Sequence, residues 1–133
     1  MPHAAAPVIS IVDDDFSVRR ALRRLIQSAG YVVETFASAR EFLDSSPLDR
    51  TACLVLDIHL AGMSGFELQE RLAADRAAIP IIFITAHDDA ATREHVKRSG
   101  VAAYLRKPFD KRVLLDAIRR AIAPDQGSIS PAG

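Results

Sequence analysis

With 133 residues, 17 basic against 17 acidic side chains and a formal net charge of zero, the chain has room for one domain and carries no overall field toward nucleic acid or an anionic membrane. Hydrophobic residues make up 49% of it, enough for a packed core, but no run approaches bilayer-spanning length, and residues 1–7 lack the basic start and apolar stretch of a secretion signal. A single cysteine, Cys53, excludes an internal disulfide and suits a reducing compartment, so a cytoplasmic protein without membrane contact is expected.

Val8-Ile9-Ser10-Ile11-Val12 is a mostly apolar run, read as a strand, and it is closed by Asp13-Asp14-Asp15. Adjacent carboxylates repel one another unless a cation, an ammonium group or helix amides compensate them. Asp15 is the natural N-cap of a first helix over 16–29, where Val18, Leu22, Leu25, Ile26 and Ala29 recur at helical spacing and Gly30 supplies the stop. Asp13 and Asp14 are left without a capping role. Arg19, Arg20, Arg23 and Arg24 flank the apolar stripe with no aromatic between them, which reads as a solvated helix face rather than a nucleic-acid patch. Residues 31–36, rich in β-branched and aromatic side chains, form a second strand. Ser38 caps a short second helix to about Ser45, with Ala39, Phe42 and Leu43 inward and Pro47 as its terminator.

In Cys53-Leu54-Val55-Leu56-Asp57 four apolar residues run without alternation into one carboxylate, the pattern of a parallel strand buried on both faces. Asp57 then sits where the strand surfaces, as a ligand-facing carboxylate or as an ordinary turn residue. A loop through Gly62 and Gly65 leads to a third helix reaching about Ala77, and Pro80 closes the turn. Ile81-Ile82-Phe83-Ile84 is a second buried strand ending in Thr85, Ala86 and His87. A fourth helix over 89–99 stops at Gly100, and a short strand over 101–105 ends in Arg106-Lys107-Pro108. Asp110 caps a fifth helix reaching Ile122, whose inner face is Val113, Leu114, Ala117, Ile118 and Ala121. Residues 124–133 form a polar tail or the start of a linker, and Gln126-Gly127-Ser128 favours a fragment of a longer chain.

Five strand–helix repeats imply a doubly wound α/β fold, a flavodoxin-like five-stranded parallel sheet of order 2-1-3-4-5 with five helices. That order sets Asp13 and Asp14 beside Asp57, with Thr85 and then Lys107 on the other flank of one crevice. Converging carboxylates suit a hard divalent cation held by oxygen. A lysine opposite them would neutralise a transferred phosphoryl group, a threonine hydroxyl would donate to one of its oxygens, and Asp57 would be free as nucleophile. Without a reaction, Lys107 merely pairs with the acids and Thr85 merely ends a strand.

The acidic pair Asp13-Asp14, Asp57, Thr85-Ala86 and Lys107-Pro108 each follow a strand, with Thr85 and Lys107 at 28 and 50 positions after Asp57. This set closely resembles the response-regulator receiver domain, and most the FixJ/NarL class, in which a helix-turn-helix domain follows. The resemblance implies a receiver over residues 8–123 between a disordered tail, 1–7, and the C-terminal tail. It implies that Asp57 accepts phosphate from a phosphohistidine on a sensor histidine kinase. Asp14, Asp57 and the backbone carbonyl of His59 would bind Mg²⁺, with Asp13 acting largely through water, and Lys107 would contact the phosphate. Thr85 would swing toward the phosphoryl group and Tyr104 turn inward behind it, unless Tyr104 is simply a packed, half-exposed aromatic. The bond Lys107-Pro108 would be cis. The output would be a phosphorylation-dependent homodimer through the fourth helix and fifth strand, with the fifth helix a further candidate, and DNA would be reached only by a separate effector domain. The module would not be a multiple-turnover enzyme.

Two departures stand out. Ala61 replaces a common proline in the loop after Asp57, and His59 and His87 occupy positions that tune phosphate loss in the family, where they would make its lifetime depend on pH near neutrality. A transition-metal site built from these histidines lacks a spaced ligand motif. Among other functions, an aspartate-nucleophile phosphatase of the haloacid-dehalogenase type would need an Asp where His59 stands. A nucleotide-binding flavodoxin-like protein would need a Gly-rich loop after the first strand. A phosphate-independent interaction module would have no use for the intact acids, Thr85 and Lys107.

Overall fold

A computed structural model describes residues 6–45 and 48–123. Its elements are β1 (Val8–Val12), α1 (Phe16–Ser28), β2 (Val32–Phe36), α2 (Ala39–Asp44), β3 (Thr51–Asp57), α3 (Gly65–Ala74), β4 (Ile81–Thr85), α4 (Ala90–Ser99), β5 (Ala103–Arg106) and α5 (Lys111–Ile122). The strands are all parallel, in the expected order β2-β1-β3-β4-β5. Pro47, the expected end of the second helix, and the tail 124–133 lie outside the described residues, as does most of the tail 1–7.

The unbroken apolar runs have their reason in two separate cores. Leu54, Leu56 and Phe83 face the layer of α2 and α3, while Cys53, Val55, Ile82 and Ile84 face α1 and α5 through Leu22, Ile26, Leu114 and Ile118. Successive side chains of a strand point to opposite faces, and here both faces are covered. Cys53 is fully buried, and burial pushes its thiol up to about 12, so it is an inert core residue.

Three boundaries differ from the sequence expectation by two residues or more. Strand β3 starts at Thr51 rather than Cys53, because Val8 pairs with Thr51 before an irregularity shifts the register to Ile9 on Cys53, and Thr51 Oγ1 lies 2.8 Å from Ser10 Oγ in a buried hydroxyl pair. Helix α3 ends at Ala74 instead of near Ala77. Arg76 takes a left-handed φ of 58°, its N–H bonds the Ala73 carbonyl and that of Ala77 bonds the Leu72 carbonyl, a Schellman closure made without glycine. Strand β5 starts at Ala103, since Val101 and Ala102 carry the chain from the left-handed Gly100 to the edge of β4, where Ala102 N–H reaches the Ile81 carbonyl.

Candidate functional site

The acidic ends of β1 and β3 meet because these strands are neighbours where the winding reverses. One carboxylate oxygen from each of Asp13, Asp14 and Asp57 lies within 4.8 Å of the others, and among the described residues no other three metal-ligating groups come so close. Asp13 is fully buried, Asp57 is 6% exposed and Asp14 is open to solvent. Asp13 Oδ1 accepts from the Asp15 N–H at 2.9 Å, and Asp15 caps α1 by accepting from Ser17 and Val18 N–H.

Across the crevice, Lys107 Nζ donates to Asp13 Oδ2 at 2.8 Å and lies 3.7 Å from Asp57 Oδ2. The other Asp57 oxygen accepts from the His59 N–H at 3.1 Å. Burial pushes the Asp57 carboxyl above its ordinary value and the Asp13 charge adds to it, while Lys107 and the His59 N–H oppose without cancelling. Burial alone would lower the Lys107 ammonium, but the bond to Asp13 and the charges of Asp57, Asp13 and Asp15 outweigh it and hold it above its usual range. Three carboxylates thus face one ammonium, and the site is short of positive charge. Carboxylate oxygens without sulfur or imidazole among them fit a hard divalent cation of the Mg²⁺ type.

Thr85 ends β4 fully buried, and every hydrogen-bonding capacity of its hydroxyl is engaged. Its oxygen accepts from His87 N–H at 2.9 Å, and lies 3.1 Å from the His87 carbonyl and 2.9 Å from His59 Nδ1. The hydroxyl has one hydrogen to give, so when it serves the carbonyl the imidazole is the donor. The two imidazoles meet edge to face, 5.4 Å between centroids.

Tyr104 stands apart from the crevice. Its half-buried ring packs on the core side shared with Phe83, and its hydroxyl donates to Asp88 Oδ1 at 2.7 Å. Burial and that bond push the phenol up to about 12, and the same bond, with Arg93 and Arg106, holds Asp88 below the ordinary carboxylate range. The Lys107–Pro108 peptide is cis.

Three contributors escape the sequence reading. Arg19, counted there among solvated arginines, donates from Nη1 to the Asp13 carbonyl at 2.8 Å and lies over the Phe16 ring, a fold-back that helical phase does not reveal. Gly65 opens α3 against the end of β3, where a Cβ would stand 2.5 Å from the Asp57 carbonyl oxygen. Only a glycine at the first helical position hints at this. Asp88 has no sequence signal at all, since its partners come from α4 and β5.

Residues 9–119 match the family model of the response regulator receiver domain. The chain belongs to this family. The receiver is 44% identical over 119 residues to nodulation protein W of Bradyrhizobium diazoefficiens, covering 90% of this chain and 52% of that protein. Among solved structures it superposes on the response regulator StyR with a TM-score of 0.82 at 47% identity, over 89% of this chain and 60% of the other. FixJ-N superposes with a TM-score of 0.81 at 34% identity, over 90% of this chain and 95% of the other. The receiver spans about half the length of the curated relatives it matches. It is a signalling module of two-component response regulators, and among the described residues no helix is long and apolar enough to cross a membrane.

Proposed function

We propose that this receiver, residues 8–123, is a Mg²⁺-dependent phosphoacceptor switch acting in the cytoplasm. The observation that carries this reading is the convergence of Asp13, Asp14 and Asp57 on one side of Lys107. A carboxylate oxygen of Asp57 attacks the phosphorus of a phosphohistidine on a sensor histidine kinase. The P–N bond breaks and its electron pair stays on the leaving imidazole. Asp13, Asp14 and Asp57, with the His59 backbone carbonyl, would hold Mg²⁺, which when bound neutralises charge on the phosphoryl oxygens. Lys107, already 3.7 Å from Asp57, neutralises the transferred group from the other side. Acting once per phosphoryl group, the domain is a switch rather than a multiple-turnover enzyme.

Thr85 then gives up His59 and His87 to donate to a phosphoryl oxygen, and Tyr104 moves behind it. This remodels the α4–β5 face, with α5 beside it, where Arg93, Lys97, Arg98, Lys111 and Arg112 lie, and favours a homodimer. DNA is reached through a separate effector domain, in keeping with relatives about twice as long. His59 and His87, packed around Thr85, govern how long the phosphoryl group survives, so a His59→Ala, His87→Ala double variant loses it at a different rate from the parent.

Intact mass after incubation with acetyl phosphate tests the chemistry. One added phosphoryl group that requires both Mg²⁺ and Asp57, absent from Asp57→Asn, is expected. No adduct, with beryllofluoride also failing to bind, would leave a phosphate-independent interaction module. Light scattering tests the output, and an unchanged mass on phosphorylation refutes the dimer.

A further inference from the structure

The contacts of Asp88 join two parts of the receiver that the proposed switch must couple. Thr85 Oγ1 holds both the N–H and the carbonyl of His87, so the turn that begins the loop to α4 hangs from that one hydroxyl. The next residue, Asp88, accepts the Tyr104 hydroxyl on Oδ1 at 2.7 Å. Arg93 lies 3.2 Å from the same oxygen and Arg106 4.0 Å from the other, and Arg93 also donates to the Asp88 carbonyl at 3.0 Å. Beyond it Asp89 caps α4 through the Thr92 N–H at 2.8 Å. Tyr104 pairs in the sheet with Phe83, two positions before Thr85, so the phenol reaches back across β4 to the loop that Thr85 anchors.

We propose that Asp88 clasps Tyr104 in the resting receiver and passes the displacement of Thr85 on to it, making this carboxylate the link between the phosphorylation site and the α4–β5 face. The proposal rests on the phosphoacceptor reading above. A Thr85 hydroxyl that turns to a phosphoryl oxygen drops the His87 backbone, and the freed turn shifts Asp88. An O–H···O bond weakens steeply with distance and angle, so a small shift releases the phenol. Arg93 and Arg106 keep the carboxylate partnered after release, and the open state is not burdened with a lone charge. The depressed Asp88 carboxyl, with the Tyr104 bond as its largest cause, agrees with a strong bond at rest.

Beryllofluoride affinity in the presence of Mg²⁺ tests the clasp on the parent, Asp88→Ala, Tyr104→Phe and the double variant. Each single variant should bind roughly three- to tenfold more tightly, the span of one hydrogen bond removed from the resting state alone, and the double no more tightly than either single. Unchanged or weaker binding in the singles, or additive gains in the double, overturns the clasp while leaving the phosphoacceptor reading intact. A parent that binds no beryllofluoride overturns that reading and the clasp with it. Tyr104→Phe keeps the ring in place and carries the test if Asp88→Ala fails to fold. Independently of any ligand, Asp88→Ala should move the ring resonance of Tyr104, one of only two tyrosines, and an unmoved resonance overturns the contact.

Discussion

Asp57 is 6% exposed beside buried Asp13, with the Lys107 ammonium 3.7 Å away and bonded more closely to Asp13. A carboxyl raised by burial is destabilising when ionised, and the penalty is absent below the unfolded value of 3.8 and present in full above the folded one. Asp57→Asn should therefore stabilise the metal-free fold at pH 7 by about 1 kcal/mol, roughly 4 °C in melting temperature. Calorimetry in chelator checks this, and a lower midpoint refutes it. The Tyr104–Asp88 bond has its own pH signature. A phenol raised from 10.0 to about 12 contributes stability in full below pH 10 and loses it as pH rises toward the folded value. A depressed Asp88 contributes above 3.8 and loses it as pH falls through the folded value. Urea titrations should show a stability gap between parent and Tyr104→Phe that is flat from about pH 5 to 9 and closes at both extremes.

The start of α3 is where an element is fitted to the site. Ser64 caps it, accepting from Glu67 N–H at 3.1 Å while Glu67 Oε1 accepts from Ser64 N–H at 2.8 Å, a reciprocal box. Ser64→Ala should cost about 1 kcal/mol in chemical denaturation. Gly65→Ala should cost more, roughly 2–3 kcal/mol, because its Cβ would meet the Asp57 carbonyl oxygen at 2.5 Å and Ile58 Cα at 2.9 Å, both backbone atoms that cannot rotate away. An unperturbed Gly65→Ala melting curve would contradict the close approach. Element types and order were legible from periodicity and caps, since Asp15, Ser38 and Asp110 all cap the helices they precede. The end of α3 was not, because a left-handed Arg76 leaves no glycine to announce it.

For the molecule as a whole, a ligand that binds only the native crevice stabilises everything that folds with it. Mg²⁺ at ten times its dissociation constant should add about 1.4 kcal/mol, roughly 4–5 °C, through one site. The gain should vanish in Asp14→Ala, whose exposed carboxylate the fold does not need; a gain that persists would place the ion elsewhere. The parallel order and the gathering of Asp13, Asp57, Thr85 and Lys107 at one sheet edge followed from the sequence, because unbroken apolar runs leave their strands nowhere to go but the middle of a two-layered core, with the polar residues at their ends. Which hydroxyl meets which imidazole, that Arg19 turns back onto Asp13 and that Asp88 holds Tyr104 were decided only by tertiary structure. Each of those contacts joins separate elements, and its geometry depends on how α1, α4 and β5 pack, which no local pattern of residues encodes.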